Sequence, residues 1–196
     1  MNEHILTLAR ENAPCYLYEY DIMKAQVETL RQTFPQYDLL YSIKANPFPP
    51  VVRALAALGL GADAASAPEV LLSQTCGMAK EDIFFSAAGK SDAALEAAWD
   101  EGEIIADSLG EVARIGALCR RKGQRRAIGV RMNPAFGMGG GVGTSSKFGI
   151  NEEDLPQLKA LLDDLPVTVE GIHVHLKSQN LDADVLGGCY RDSWAL

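Results

Sequence analysis

Residues 104–133, Ile104-Ile105-Ala106-Asp107-Ser108-Leu109-Gly110-Glu111 through Lys122-Gly123 to Ala127-Ile128-Gly129-Val130-Arg131-Met132-Asn133, hold one strand–helix–strand unit. Ile104–Asp107 reads as a short buried strand. Ser108 and Glu111 stand three apart as a capping-box pair, which fixes where a helix starts. Gly123 after Lys122 marks its end, because glycine alone enters the left-handed backbone region without steric cost. Ala127–Asn133 is then a second strand, and a crossover of this kind makes the two strands parallel.

The same unit recurs along the chain. Leu39–Lys44, Gly61–Ala65, Ile83–Ala87, Ile104–Asp107, Ala127–Asn133 and Val169–Leu176 read as six strands. Helices fill the gaps, across Val51–Leu58, after Pro68, and through Leu155, Leu158, Leu162 and Leu165. Each strand has a polar residue near its carboxyl end: Lys44, Asp63, Ser86, Asp107, Arg131 and His175. Regular alternation predicts an α/β fold of the (β/α)8 barrel type, whose active sites lie at that end of the strands. In front of the first unit, residues 1–20 predict a helix and an opening strand, Cys15–Tyr20. Asp21 then caps a helix with Met23, Val27, Leu30 and Phe34 on one face.

Side-chain alternation sharpens the picture. In Gly171–Lys177, Ile172, Val174 and Leu176 share the face that should meet the helices, leaving His173, His175 and Lys177 inward. Ser42 points with Lys44, Asp63 with Gly61 and Ala65, and Arg131 with Gly129. Small residues beside polar ones leave room that a purely structural barrel would fill with branched aliphatics. A lysine at an inward strand end is expected to be desolvated, which favours the neutral, nucleophilic amine. The bland alternative pairs Lys44 with Asp63 as an interior ion pair.

Two other motifs bear on function. His173 and His175, two apart on one strand face, suit a metal pair, with Asp63 or Asp107 as further ligand because His4 is the one remaining histidine. A hydrogen-bonded core histidine is the preferred reading for His173, and no metal is expected. The run Gly137–Lys147 is glycine-rich but lacks the spacing of a phosphate-binding P-loop, so a mobile loop at the barrel mouth is expected.

Composition bounds the rest. The 196 residues are 47% apolar and 22% charged with a net charge of −8, ordinary for a globular chain and unsuited to a nucleic-acid partner. No stretch reads as a signal peptide or a membrane span. Four scattered cysteines without a CxxC pair fit reduced thiols in the cytoplasm. Six units are visible where barrel closure needs eight, in about 250 residues. The expectation is one incomplete barrel domain over residues 1–196, a fragment of a longer protein.

Five segments in series resemble the barrel-type pyridoxal-phosphate-dependent decarboxylases of basic amino acids, the group of the ornithine, arginine and diaminopimelate decarboxylases. They are Tyr41–Pro47 (YSIKANP), Gly59–Val70 (GLGADAASAPEV), Val130–Pro134 (VRMNP), Ser145–Ile150 (SSKFGI) and Gly171–Gln179 (GIHVHLKSQ). The wording of the last two is most like diaminopimelate decarboxylase. The resemblance implies that Lys44 carries pyridoxal 5'-phosphate as a Schiff base, that His175 stacks on its ring and that Ser178 donates to its phosphate. It places Asp63, Arg131 and Glu69 in the polar shell, with Lys147 near the site. It also implies a small amino-acid substrate and a homodimer in the full-length protein.

Lys177 stands where the family usually has glycine. The family's acidic partner of the ring nitrogen, its glycine-rich phosphate segment and its C-terminal β domain have no counterpart in these residues, so the chain alone is expected to show little activity. The competing functions are an amino-acid racemase on the related barrel, a catalytically silent homologue acting as a binding or regulatory partner, and a metal-dependent barrel hydrolase.

Overall fold

A computed structural model of the protein describes residues 3–143 and 146–196. Thr144 and Ser145, which belong to the glycine-rich run and to the Ser145–Ile150 segment, lie outside the described residues.

The elements alternate as the sequence predicts. Helices α1 (Glu3–Asn12) and α2 (Tyr20–Thr33) lead to β1 (Leu40–Ser42), α3 (Pro49–Ala57), β2 (Gly61–Ala64), α4 (Ala67–Thr75) and β3 (Ile83–Phe85). Then come α5 (Asp92–Ala97), β4 (Glu103–Ala106), α6 (Leu109–Lys122) and β5 (Arg126–Asn133). The chain continues through β6 (Ile150–Asn151), α7 (Leu155–Asp164), β7 (Val167–Val174) and α8 (Ala183–Trp194). Strands β1 to β5 pair in parallel in sequence order, and β7 joins the far edge of β5. The six predicted barrel strands are therefore β1–β5 and β7. Met132 pairs with Ile150 on one edge and Val174 on the other, so the two-residue β6 extends the edge that β4 occupies.

Serines set the starts of α4, α5 and α6. Ser66, Ser91 and Ser108 accept from the amides of Glu69, Ala94 and Glu111 at 3.4, 3.1 and 3.2 Å. Each satisfies one of the donors a helix leaves unpaired at its first turn. Gly123 ends α6 at φ 66°, ψ 30°, the left-handed cap predicted for it.

The core lies between sheet and helices. Ile43, Val52, Ala62, Ala64, Val70, Ile83 and Phe85 form one cluster, and Trp99, Ile104, Ile115, Ile128, Val130 and Leu158 belong to another. At the amino ends of the strands Trp99 is buried, its indole donating to Gln124 at 3.0 Å and the Arg126 guanidinium 4.6 Å from its ring. That end is built for stability. The sheet curls enough that Leu40 of β1 and His173 of β7 line one interior cavity of about 460 Å3, together with Asp63, Ser86, Ile105 and Gly129.

Several expectations are corrected. Residues 15–19 form no strand: Tyr16, Leu17 and Tyr18 are exposed, and no described strand pairs with them. Alternation alone cannot make a strand without a partner ladder. Asp21 is not a cap; α2 begins at Tyr20 behind Glu19, which makes no side-chain cap bond. Of its predicted stripe Val27 is buried, whereas Leu30 and Phe34 are exposed. The strand at Leu39–Lys44 shortens to Leu40–Ser42, and Lys44 falls in the 3-10 turn Ile43–Ala45. Lys44 is exposed there rather than desolvated.

Candidate active site at the carboxyl ends of the strands

Asp63 is the hub of the interior face. Ala62 and Ala64 point to the helices and are fully buried. Asp63 between them faces inward, where Ser42 of β1 donates to Oδ2 at 3.1 Å and Ser86, just past β3, donates to Oδ1. Three adjacent strand ends thus converge on one carboxylate, whose two oxygens are both held by hydroxyls.

One strand further on, Asp107 and Arg131 form a near-buried ion pair at 3.4 Å. The guanidinium also lies 5.0 Å from the Phe148 ring, in cation–π range. Arg131 stands opposite His173 on β7. The His173 Nδ1 is buried without a hydrogen-bond partner among the described residues. Burial lowers the pKa of this imidazole, and the Arg131 cation lowers it further against the opposing pull of Asp63. His173 is therefore not the satisfied core histidine the sequence suggests.

A bulge brings it inward. Val167 and Val169 pack on the helix-side core, and simple alternation would send His173 the same way. The β5–β7 ladder slips between Ile128 and Gly129, whose partners are Val169 and Gly171. Glu170 is the extra residue, and it reverses the parity so that Val174 joins the helix side and His173 faces Arg131.

The remaining predicted residues are placed less centrally. Lys44 follows β1 directly and is exposed; among the described residues no ion pair joins it to Asp63, so the bland alternative fails. Glu69 accepts the Ala65 amide at 2.7 Å while its own amide is capped by Ser66, a local role at the start of α4. Lys147 is exposed with its Nζ 5.1 Å from the Phe148 ring. His175 sits one residue beyond β7 and, with Lys177, lines a groove of about 610 Å3 against α8. Ser178 is exposed just beyond, before Gln179 at φ 59°. The structure therefore joins Asp63 and Arg131 to Ser42, Ser86, Asp107 and His173. It leaves Lys44, His175 and Ser178 at the ends of their strands without a bond to that cluster.

Among the described residues no group of three histidine, cysteine or acidic side chains is placed to hold a metal, and no helix is long and apolar enough to cross a membrane. All four cysteines are free.

A buried pair that sequence reading missed lies behind the cluster. The Lys90 ammonium donates at 2.6 Å to each of the Ala87 carbonyl, the Ile105 carbonyl and Glu111 Oε1. Both side chains are essentially inaccessible. Burial lowers the lysine pKa and raises that of the carboxyl, each opposed by the partner. The capping box is accordingly half formed, since the Glu111 carboxylate turns to Lys90 instead of back to Ser108. The only local signal was a lysine set among the small residues Ala87, Ala88, Gly89 and Ser91.

Comparison with known proteins agrees with this fold. Residues 20–193 match the model of the pyridoxal binding domain of pyridoxal-dependent decarboxylases. Over 183 residues the chain is 33% identical to the L-glutamyl-[BtrI acyl-carrier protein] decarboxylase of Niallia circulans, covering 89% of this chain and 43% of that protein. It is 30% identical over 184 residues to the diaminopimelate decarboxylase of Aquifex aeolicus, covering 86% and 42%. The chain thus spans less than half the length of these relatives. The solved diaminopimelate decarboxylase of Helicobacter pylori, complexed with L-lysine, superposes with a TM-score of 0.83 at 23% identity, over 97% of this chain and 51% of that one. At that identity the likeness speaks for the fold.

Proposed function

Because the chain belongs to the pyridoxal-dependent decarboxylases, through their pyridoxal binding domain, we propose that it is the cofactor-holding part of an enzyme that decarboxylates a small diamino acid of the diaminopimelate type. The observation that carries this reading is Lys44: an exposed amine without an ion-pair partner among the described residues, in the turn directly after the strand whose Ser42 is bonded to Asp63. The substrate class is supported by the relatives, several of which are diaminopimelate decarboxylases.

The residues present fit pyridoxal 5'-phosphate. Its site needs a free amine, polar groups of both charges and an apolar wall, and the strand ends supply Lys44, the Asp63 carboxylate, the Arg131 cation and the buried Nδ1 of His173 that has no partner among the described residues. When bound, this cofactor supplies a reversible aldehyde link to amines and a conjugated ring that accepts the electron pair released as carbon dioxide leaves.

The protein's share is positioning and charge. Lys44 would hold the cofactor through its side-chain amine. Asp63, fixed by two hydroxyls, presents a carboxylate whose orientation cannot drift. Arg131 keeps Asp107 neutralised while offering its remaining donors to anionic groups. His175 and Ser178 follow the last strand, suited to cover a flat ring and to donate to a phosphate, and Lys177 adds a cation where that phosphate would approach. Glu69 acts at second hand by fixing the loop after Asp63, and Lys147 lies beside Phe148 near Arg131. A cytoplasmic homodimer is part of the same reading.

The test is cofactor capture, which uses only residues described here. Borohydride reduction with pyridoxal phosphate should fix one label per chain on the Lys44 peptide, and Lys44→Ala should remove it. A label elsewhere, or none, overturns the proposal.

A further inference from the structure

Strands β3 and β4 part company at their carboxyl ends. Their ladder runs through Phe84–Glu103 and Phe85–Ile104 and then stops. Beyond it lie the two residues that matter to the interior cluster: Ser86, bonded to Asp63, and Asp107, paired with Arg131. Splaying strands leave carbonyls that a neighbouring strand would otherwise satisfy, and buried carbonyls must be satisfied somehow. Here the Lys90 ammonium reaches across the gap. It donates to Ala87, the residue after Ser86, and to Ile105, two before Asp107, and spends its third proton on Glu111 at the start of α6.

We propose that the Lys90–Glu111 pair is a positioning clasp that holds β3 and β4 apart at the barrel mouth and so fixes Ser86 against Asp63 and Asp107 against Arg131. Stability alone is a poor account of it. Burying two charges costs much of what their attraction returns, and an apolar pair of similar volume is often as stable. What an apolar pair cannot do is bond two diverging backbones at once. All three ammonium protons point at oxygens 2.6 Å away, so the lysine has one geometry and imposes it on both loops. Lys90 touches neither Asp63 nor Arg131; it acts through the segments that carry their partners. The consequence for cofactor binding rests on the function proposed above, whereas the geometric claim does not.

The test compares the chain with Lys90→Met/Glu111→Leu, which removes both charges together. Melting temperature, amide hydrogen exchange, and pyridoxal-phosphate affinity by absorbance are measured on each. The expected result is a cooperative fold with a melting temperature within a few degrees of the parent, exchange at residues 86–88 and 105–108 at least tenfold faster, and affinity at least tenfold weaker. Unchanged exchange at those amides overturns the clasp, whatever happens to melting. If the parent shows no Lys44-dependent band, the proposed function fails, and the exchange comparison still decides the clasp. If the double variant does not fold, Glu111→Gln is read by the same exchange measurement, with faster exchange confined to the two loops supporting the clasp and uniform or unchanged exchange overturning it.

Discussion

Arg131 faces His173 across the β5–β7 ladder, and the slip of that ladder at Glu170 is what sets them opposite each other. A cation and an imidazole on neighbouring strands, with Asp63 and Asp107 around them, form a single electrostatic unit. Burial lowers the His173 pKa first, and Arg131 adds to it.

Removing the cation should therefore release part of the shift. In Arg131→Met the His173 pKa is expected to rise toward the ordinary value of about 6.5 without reaching it, because burial remains. Titration of the imidazole proton resonances by NMR measures this, and an unmoved midpoint contradicts the arrangement. The same variant leaves Asp107 nearly buried without its ion-pair partner and with the Lys90 cation nearby, which places its stability loss at the lower end of the ~3–5 kcal/mol seen for broken buried pairs.

His173 should also tilt the stability of the fold with pH. Its folded pKa lies below the unfolded one, so between the two the unfolded chain binds more protons and stability rises with pH. The contribution is complete above about pH 6.5 and is lost progressively as pH falls below that toward the depressed folded value. Asp63, Asp107, Arg131 and His175 all face this titration, so the comparison is with His173→Gln. Melting temperature from pH 7.5 to 5 should fall less steeply in the variant. Parallel curves would mean that His173 titrates alike folded and unfolded.

The alternation of strands and helices was legible because the units repeat the same signals: a short apolar run and a polar end, with a serine cap at α4, α5 and α6. Five of the six polar strand ends were located for that reason, and Asp63 and Arg131 do sit in one interior cluster. Long-range features were not legible. Nothing local says that Glu170 is a bulge, since the register depends on β5. Nothing joins Lys90 to Glu111 across an intervening strand and helix. Residues 15–19 misled because β-like alternation is a property of the segment, whereas a strand is a property of a pair. Lys44 was displaced from strand to turn by the same limit on boundaries, as the ladder with β2 ends at Ser42.

Ser66 and Glu69 form a local brace beside Asp63, and they should act as one. Ser66→Ala removes the oxygen that accepts the Glu69 amide, for a loss of about 1 kcal/mol. Glu69→Ala frees the Ala65 amide next to β2, with a similar loss of about 1 kcal/mol. Urea unfolding of both single variants and the double should show less than additive losses, because each holds the same first turn of α4. Strict additivity would separate the two contacts.

Two glycines make opposite predictions. Gly61 opens β2 where a Cβ would run into the Asp82 carbonyl oxygen and the Leu40 side chain, so the strand can pack there only without one. Gly61→Ala is expected to cost about 1–3 kcal/mol, since backbone must move to make room. Gly110 lies exposed in the first turns of α6, and the nearest atom to an added Cβ is Ser108 Oγ at 4.0 Å. Gly110→Ala should instead gain up to about 1 kcal/mol by restricting the unfolded chain and improving helix propensity. Thermal melts of the two variants against the parent should move in opposite directions. If both fall, α6 does not begin at Ser108 as described; if both rise, β2 does not approach Asp82 so closely.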